Sequence, residues 1–236
     1  MRTKPRALDL CCKAGGVSVG LHRAGFDVIG VDIEPQPRYP FEFHQGDALA
    51  WLEQVVMDRQ HPEWLLERFD AIHASPPCQH YSVTHAVHAD RIYPDLIDPV
   101  RQLLVATGIP YVMENVPNAP LVDPVVLCGE MFGLGVIRHR LFEANWPLDQ
   151  PAHVVHRDGG TTAVGCSKRP GDAYMTIAGH WSGIANGRDA MGIDWMSRDE
   201  LSQAIPPAYT EWIGTHLMNA LKAADPSAPV PEETKP

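Results

Sequence analysis

The sequence lacks the features that mark several common protein classes. Its five cysteines, at positions 11, 12, 78, 128 and 166, are odd in number and contain no Cys-x-x-Cys pair. This pattern argues against both a disulfide framework and a structural zinc site. No run of about 18 or more apolar residues occurs, and the segment from Met1 to Arg6 has no apolar stretch behind it. We therefore expect a cytoplasmic protein with reduced thiols, no metal and no membrane anchor.

Positive charge is also scarce. The 236 residues include 19 lysines and arginines against 29 aspartates and glutamates, for a formal net charge of −10. Because phosphate binding needs clustered basic side chains, this balance excludes broad adhesion to nucleic acid and leaves only a local contact. The span from 138 to 190, where bases slightly outnumber acids, is the candidate surface; its basic residues are Arg138, Arg140, Arg157, Lys168, Arg169 and Arg188.

What the sequence does contain is an alternation of short β-rich runs with helical patterns. Apolar residues make up 44% of the chain, enough for the core of one large α/β domain. Strands joined through helices are typically parallel, so we predict an α/β fold in which a mostly parallel sheet is flanked by helices. The predicted strands are Ala7–Cys11, Phe26–Asp32, Phe69–Ala74 and Ile109–Glu114, with a helix through Val19–Ala24.

Three reactive side chains fall where these strands end. Asp32 ends the second strand, Cys78 follows the third and Glu114 ends the last. Ligand sites of parallel sheets lie beyond the carboxyl ends of the strands. We therefore expect the three side chains to share one crevice.

Cys78 lies in the segment Ser75-Pro76-Pro77-Cys78-Gln79. Proline fixes its own φ and restricts the residue before it, so this turn leaves few ways to present the thiol. The arrangement predicts a cysteine placed for nucleophilic attack rather than for packing.

A glycine turn joins the first strand to the first helix. Gly15 and Gly16 would let a ligand approach the backbone near free N–H groups, although a tight connection is the simpler alternative. Asp32, about 20 residues on, can accept both hydroxyls of a ribose, and Asp47 can meet an adenine amino group. The spacing is not Gly-x-Gly-x-x-Gly and no Walker lysine follows, so an adenosine-containing cofactor is favoured over a dinucleotide or ATP.

Glu114 and two arginines supply further charged groups. Glu114 stands at a strand end, where a partly desolvated carboxyl can hold or share a proton near neutral pH; a capping or turn acid is the alternative. The alternation of Val136–Phe142 predicts a strand with Arg138 and Arg140 on one face. The pair would clamp a carboxylate and a base or phosphate oxygen, unless both are ordinary edge-strand arginines.

In this order and at these intervals, the motifs resemble those of the DNA cytosine-5 methyltransferases, which use S-adenosylmethionine. The likeness is strong from Leu8 to Phe142 and resumes from Met196 to Tyr209. It implies a Rossmann-like methyltransferase fold. The motifs are Asp-Leu-x-Cys-x-Ala-Gly-Gly at 9–16, Ser-Pro-Pro-Cys-Gln at 75–79, Glu-Asn-Val at 114–116 and Arg-x-Arg at 138–140.

The resemblance implies a role for each candidate residue. Cys78 would add to C6 of a flipped-out cytosine, and Glu114 would bond N3 and the exocyclic amine. Arg140 would meet the base carbonyl and Glu114, with Arg138 alongside. The residues implied for cofactor binding are Asp9, Cys11, Gly15, Gly16, Asp32, Asp47, Pro76 and Gln203.

Two positions depart from the family pattern. Cys11 stands where an aromatic residue commonly packs on the adenine, which predicts weaker cofactor affinity. Ser202-Gln203 stands where Gly-Asn is usual, and Gln203 can still form a hydrogen bond.

The resemblance also divides the chain. Residues 1–142 would form the cofactor-binding and catalytic domain, 143–195 a reduced target recognition region, 196–224 a C-terminal helix completing the catalytic domain, and 225–236 a disordered tail. The segment from about His80 to Pro99 resembles the loop that closes over the target base. So small a recognition region predicts a short recognition sequence or relaxed specificity, with double-stranded DNA as the partner of a monomeric enzyme.

Other functions remain open on the residues alone. The same thiol and cofactor would serve a methyltransferase acting on RNA or on a modified base, and a catalytically weak DNA-binding relative would share the fold. A cysteine hydrolase leaves the glycine turn, Asp32 and the arginines unexplained. Cys78 could form a metal site with His80, His85 and His88, but the thiol would then be a metal ligand and could not act as the nucleophile. Cys12, Cys128 and Cys166 are interpreted as core or incidental thiols.

Overall fold

Seven strands form one sheet in the computed structural model. The structure describes residues 4–58, 69–81, 94–153, 156, 174–177, 181 and 183–224. The strand order is β3-β2-β1-β4-β5-β7-β6. The strands are β1 Arg6–Leu10, β2 Asp27–Asp32, β3 Glu42–Gln45, β4 Ala71–Ala74, β5 Tyr111–Asn115, β6 Val125–Leu127 and β7 Arg140–Ala144.

The pairing of the strands confirms the predicted, mostly parallel sheet. Strands β1 to β5 pair in parallel, whereas β7 runs antiparallel between β5 and β6. The chain moves from β1 outward to β3 and then returns to β4 on the other side of β1. Such a reversal of strand order opens a crevice at the carboxyl ends of the two central strands. There the Ser75 amide donates to the Leu10 carbonyl at 3.1 Å, which sets the loops after β1 and β4 side by side.

Helices cover both faces of the sheet, as predicted. Alternate residues of β1 enter opposite cores: Leu8 and Leu10 pack beneath α2 and α3, whereas Ala7 packs beneath α1 and α6. The helices are α1 Gly16–Arg23, α2 Ala48–Asp58, α3 Ile97–Thr107, α4 Ile184–Met191, α5 Arg198–Gln203 and α6 Pro207–Ala224, with a 3₁₀ helix at Gly129–Phe132.

The predicted strand over 136–142 is wrong in its first half. Strand β7 begins at Arg140, and Val136 makes only an isolated bridge with Met175. Between them, the Arg138 carbonyl accepts a hydrogen bond of 2.6 Å from the Tyr209 hydroxyl. This segment is therefore held by side-chain contacts and not by a strand partner, so the two arginines do not share a strand face. The other predicted strands are present, with ends shifted by one or two residues.

The segment 196–224 forms two helices where one was expected. Helix α5 begins with a capping box, in which the Ser197 amide donates to Glu200 Oε2 at 2.7 Å. It ends at Gln203, before Pro206 and Pro207. Proline restricts the residue before it and cannot donate within a helix, but it suits the first helical position, where α6 begins.

The region between β7 and α5 shares its core with the rest of the molecule. Met175, Trp181 and Met191 pack in one cluster with Ala14 of the glycine turn. Trp195 also donates from Nε1 to the Ala14 carbonyl at 2.8 Å. The described part of residues 143–195 thus shares a hydrophobic cluster with the glycine turn.

Some predictions concern residues outside those described. They include the greater part of the loop after Tyr81 with His85 and His88, the basic residues Arg157, Lys168 and Arg169, Cys166, and the tail 225–236. Across the described part of the chain, no helix combines the length and apolar character that a membrane span requires.

Candidate active site

The loop after β1 has an unusual backbone. Cys11 and Lys13 have φ values of 58° and 45°, in the left-handed region that non-glycine residues rarely adopt, and Gly15 has a φ of 84°. The Lys13 amide donates to Asp32 Oδ2 at 3.0 Å, which fastens the loop to the end of β2. Non-glycine residues are held in this region only where the surroundings enforce it, and such positions cluster at functional sites.

Asp32 organises the ends of two strands. Its Oδ1 atom accepts from the Glu34 amide at 3.0 Å, and its own carbonyl accepts from the Gly46 amide at 2.9 Å. The Lys13 ammonium lies 3.7 Å from Oδ1, and the Asp32 side chain is only 2% exposed. Asp32 therefore lies at the end of β2, as predicted, and the Lys13 side chain lies beside it.

The two glycines are required by the protein's own packing. A Cβ on Gly15 would lie 2.9 Å from Pro40 Cδ, and one on Gly16 would lie 2.4 Å from the Ile205 carbonyl oxygen. The close approach predicted for a ligand is made here by the chain itself. Helix α1 begins at Gly16 without a side-chain cap, which leaves its first N–H groups facing the crevice end of the sheet.

A buried polar network lies beneath this loop. Asp9 is fully buried, accepts a hydrogen bond from the Ser18 hydroxyl, and lies 2.9 Å from His73 Nδ1 through its other oxygen. The Tyr39 hydroxyl lies 2.7 Å from Ser18 Oγ, and burial, followed by the Asp9 charge, raises the Tyr39 pKa. Asp9, one of the residues predicted for cofactor binding, therefore joins α1 to β4 through these contacts. Ser18, His73 and Tyr39 were missed, because only the fold brings them together.

The remaining cofactor candidates occupy the rim of the same end of the sheet. Asp47 is exposed and caps α2, where its Oδ1 accepts from the Ala50 amide at 3.0 Å. Cys11 is half-buried, and burial, followed by Asp32, raises its pKa to about 12. Gln203 is exposed and lines a cleft of about 160 Å³ together with Lys13, Glu34, Pro35, Gln36, Asp199 and Glu200.

Strand β5 fixes the proline turn that carries Cys78. The Asn115 side chain donates from Nδ2 to the buried Pro76 carbonyl at 2.9 Å, and its Oδ1 accepts from the Val116 amide at 2.9 Å. The Tyr81 amide donates to the Cys78 carbonyl at 3.0 Å and closes the next turn. Asn115 thus positions the turn that presents the thiol, a role that its place beside Glu114 does not reveal.

Cys78, Glu114 and Arg140 form one electrostatic group. Arg140 Nε lies 3.1 Å from Glu114 Oε1, and the Glu114 side chain is 8% exposed. The pKa of the half-buried Cys78 thiol is raised first by burial and then by the Glu114 carboxylate, while Arg140 lowers it. The structure therefore brings three of the predicted site residues together, at the ends of β4 and β5 and the start of β7.

Arg138 occupies a different position from the one predicted. Its guanidinium donates to the carbonyls of Ile177 and Ser202, each at 2.8 Å. Arg138 therefore links the segment before β7 to helix α5. Burial, followed by the Arg140 charge, lowers its pKa to about 9. Among the described residues, Arg138 Nε has no hydrogen-bond partner. Arg138 therefore supports the backbone around the site, whereas Arg140 is the member of the pair that contacts Glu114.

Residues 6–120 match the family model of the C-5 cytosine-specific DNA methylases. This segment belongs to that methylase family. It contains the glycine turn, Asp32, Asp47, Cys78 and Glu114, whereas the arginines and Gln203 lie beyond it.

Two solved structures share the fold of this chain over most of its length. One, provisionally described as a DNA modification methyltransferase encoded within an E. coli prophage, has a TM-score of 0.64 at 16% identity and covers 92% of this chain and 99% of that one. The Entamoeba histolytica methyltransferase EhMeth has a TM-score of 0.55 at 11% identity, and the match covers 93% of this chain and 99% of EhMeth. These likenesses establish a methyltransferase fold.

The chain also resembles two proteins of Methanocaldococcus jannaschii, provisionally named ribosomal RNA large subunit methyltransferases. One is 28% identical over 105 residues, which are 39% of this chain and 25% of the relative. The other is 30% identical over 86 residues, which are 30% of this chain and 20% of the relative. The aligned segments thus span a quarter or less of these relatives.

Proposed function

We propose that the protein transfers a methyl group from S-adenosylmethionine to carbon 5 of cytosine in DNA, through a covalent bond between Cys78 and carbon 6. The observation that carries this proposal is the grouping of Cys78 with the Glu114–Arg140 pair at one edge of the sheet. Cytosine C5 is a poor nucleophile until a thiolate adds at C6, and this group supplies both the sulfur and a proton donor.

Cys78 begins the proposed reaction. Because burial and Glu114 raise its pKa, the resting side chain is a neutral thiol, and its proton passes to the Glu114 carboxylate as the sulfur–C6 bond forms. Glu114 gives this proton to N3 and neutralises the charge that the attack places on the ring. Arg140 orients Glu114 through Nε and has further donors for the base carbonyl.

The later steps restore the protein. Bound S-adenosylmethionine would supply an electrophilic methyl group to the activated C5, with S-adenosylhomocysteine as the leaving group. A base then removes the C5 proton and releases it to solvent, and the sulfur–C6 bond breaks. The proton on N3 returns through Glu114 to the Cys78 sulfur, so that the protein ends in its starting state.

The residues of the loop after β1 fit an adenosine-containing methyl donor. The uncapped N-terminus of α1 suits a carboxylate, and Asp32 retains lone pairs for ribose hydroxyls beyond those used by Lys13 and Glu34. Asp47 uses one oxygen to cap α2 and retains the other for an amino group. We propose further contacts from Cys11, Gly15, Gly16, Pro76 and Gln203.

DNA is the proposed substrate because the matched family acts on it. The target base must leave the duplex to reach Cys78, which is half-buried in the crevice. The net charge of −10 confines phosphate contacts to a local basic surface, and the small region between β7 and α5 favours a short recognition sequence.

RNA is the second candidate substrate. The observation that favours it is the likeness to the two archaeal relatives named for ribosomal RNA, both of which align with less than half of this chain. The grouping of Cys78, Glu114 and Arg140 serves cytosine in either polymer.

A direct comparison of substrates tests the proposal. Purified protein would be incubated with S-adenosylmethionine carrying a labelled methyl group and with either duplex DNA or structured RNA, and the nucleosides would be separated by mass. We expect labelled 5-methyldeoxycytidine from DNA, and none with Cys78→Ser. Label only in RNA would establish the second candidate, while binding of DNA without transfer would identify a catalytically weak relative. Sequencing of methylated cytosines after expression in an unmodified host would then give the recognition sequence.

A further inference from the structure

Four metal-binding side chains converge beside the Arg-x-Arg segment. His139 Nε2 lies 3.2 Å from His153 Nε2 and 3.2 Å from His156 Nε2. The sulfur of Cys128 joins them, and the four donor atoms all lie within 4.8 Å of one another. Cys128 is fully buried, His139 and His156 are half-buried, and His153 is exposed. The cluster thus lies under the surface, with one side reachable from solvent.

The distances from His139 Nε2 to the other two nitrogens are those of ligands around one ion. Zinc–nitrogen bonds of about 2.0–2.1 Å place two ligands of a tetrahedral site about 3.3 Å apart. Hydrogen bonding alone does not explain the arrangement. A neutral imidazole has one donor and one acceptor, so His139 Nε2 cannot both donate to one neighbour and accept from the other. A shared cation satisfies all three lone pairs at once.

A second layer of residues orients one of the ligands. His156 Nδ1 lies 2.7 Å from Glu130 Oε2, and the other Glu130 oxygen accepts a hydrogen bond from the Tyr174 hydroxyl. A carboxylate at Nδ1 holds the proton there and turns the lone pair of Nε2 toward the cluster. Metal-ligating histidines usually have such a partner.

We propose that Cys128, His139, His153 and His156 bind one zinc ion in a structural site. One thiolate with three imidazoles is a donor set suited to zinc, and four protein ligands leave no open position for a catalytic water. The site joins three parts of the chain: Cys128 after β6, His139 before β7, and the two histidines at 153 and 156. It is separate from Cys78 and does not depend on the proposed methyl transfer.

The zinc site would also position the catalytic arginine. His139 lies between Arg138 and Arg140, and Arg140 donates from Nη1 to the His139 carbonyl at 2.8 Å. An ion on the His139 ring would fix the backbone from which Arg140 reaches Glu114. His139 is therefore a positioning residue as well as a ligand in this proposal.

No metal was expected from the sequence, because the four side chains of this cluster come together only in the fold. Cys128 and His139 are separated by 10 residues, and no Cys-x-x-Cys pair marks the site. The available signal was the pair His153 and His156, whose His-x-x-His spacing is compatible with two ligands of one ion. Cys128 was interpreted as a core or incidental thiol, and it is fully buried.

Metal content tests the proposal directly. Protein purified without chelators and dialysed after zinc loading would be analysed by mass spectrometry of its metals. We expect about one zinc per chain and a large loss in His153→Ala, whose exposed position makes folding of the variant straightforward. The matched control is His44→Ala, which removes an exposed histidine on β3 and should keep its zinc. No bound zinc in the loaded wild type, or an equal content in His153→Ala, would overturn the site.

Cobalt substitution tests the ligand set without any activity measurement. Tetrahedral Co²⁺ absorbs strongly in the visible range, and a bound thiolate adds a charge-transfer band in the near ultraviolet. Both bands are expected in the wild type, and the thiolate band alone should vanish in Cys128→Ser. If Cys128→Ser does not fold, the wild-type spectrum decides, because absence of the thiolate band there would exclude Cys128. A tightly bound metal other than zinc would contradict the assignment of the ion.

Discussion

At the residue scale, the chemistry depends on how three charged or ionisable groups affect one another. The sequence placed Cys78 and Glu114 at strand ends and Arg140 within a predicted strand, and the fold brings all three to one edge of the sheet. Strand ends can be predicted because hydrophobic runs mark the strands. The supports of the site could not be predicted, because the contacts of Asn115 with Pro76 and of His73 with Asp9 join residues 39 and 64 positions apart.

Removing the negative charge of Glu114 should make Cys78 more reactive toward alkylating agents and should at the same time lower the rate of methyl transfer. Glu114→Gln removes a negative charge that raises the Cys78 pKa, so the thiolate fraction at any pH below that pKa should increase. Alkylation of Cys78 by iodoacetamide, followed by peptide mass spectrometry, should therefore become faster. Methyl transfer should fall by at least about 100-fold, because the proton donor to the ring is lost.

The control for this variant is Glu211→Gln, which changes an acid about half exposed on α6. Its alkylation rate and activity should match those of the wild type. Slower alkylation in Glu114→Gln, or full activity in that variant, would show that Glu114 does not act on Cys78 as described.

At the scale of elements, one buried ion pair joins α3 to β7. Arg101 Nε lies 2.8 Å and 3.1 Å from the two Glu143 oxygens, and Glu143 also accepts from the Val122 amide at 2.8 Å. The Tyr111 hydroxyl donates to the same carboxylate at 3.2 Å. Glu143 had been assigned to the recognition region, but these bonds make it part of the sheet's support.

Loss of Arg101 should be costly to stability. Arg101→Ala leaves the Glu143 carboxylate, 4% exposed, without its cation, and breaking such a pair costs about 3 kcal/mol or more of unfolding free energy. Urea denaturation followed by circular dichroism would measure the change. Arg23→Ala is the matched control, because Arg23 and Glu211 are each 47% exposed and 3.7 Å apart, and its effect should be below about 0.5 kcal/mol. Similar losses in the two variants would contradict this account.

Boundaries of elements were predicted less well than their types. The alternation of residues 136–142 suggested a strand, but Arg138 is held by contacts with Ile177, Ser202 and Tyr209, which lie far along the chain. Pro206-Pro207 indicated the break between α5 and α6, because consecutive prolines interrupt helical hydrogen bonding. The first boundary could be placed only with tertiary information, whereas the signal for the second was already present in the sequence.

At the scale of the whole molecule, the alternation of strands and helices was sufficient to predict a mostly parallel α/β sheet. The packing of the described part of residues 143–195 could not be predicted in this way, because these residues share a core with the distant glycine turn. Sequence motifs locate the ends of strands, but they do not reveal which distant segments pack together.

Cofactor binding should stabilise the whole fold. S-adenosylhomocysteine at about 100 times its Kd should add about 2.7 kcal/mol to the unfolding free energy. For a chain of this size, that corresponds to a Tm increase of roughly 5–10 °C in a thermal scan. Asp32→Ala should remove most of the increase, because it deletes the proposed ribose ligand. Asp27→Ala, at the exposed start of the same strand, should retain it. Equal shifts in the two variants would place the cofactor elsewhere.

The most direct measurement of the central claim is covalent trapping on duplex DNA that contains 5-fluorocytosine. Fluorine at C5 cannot leave as a proton does, so the bond between the Cys78 sulfur and C6 persists after methyl transfer. We predict a denaturation-resistant protein–DNA complex that requires S-adenosylmethionine, maps to Cys78 by peptide mass spectrometry and is absent in Cys78→Ser. A complex that forms equally well with Cys78→Ser, or that maps to another residue, would contradict the assignment of Cys78 as the nucleophile.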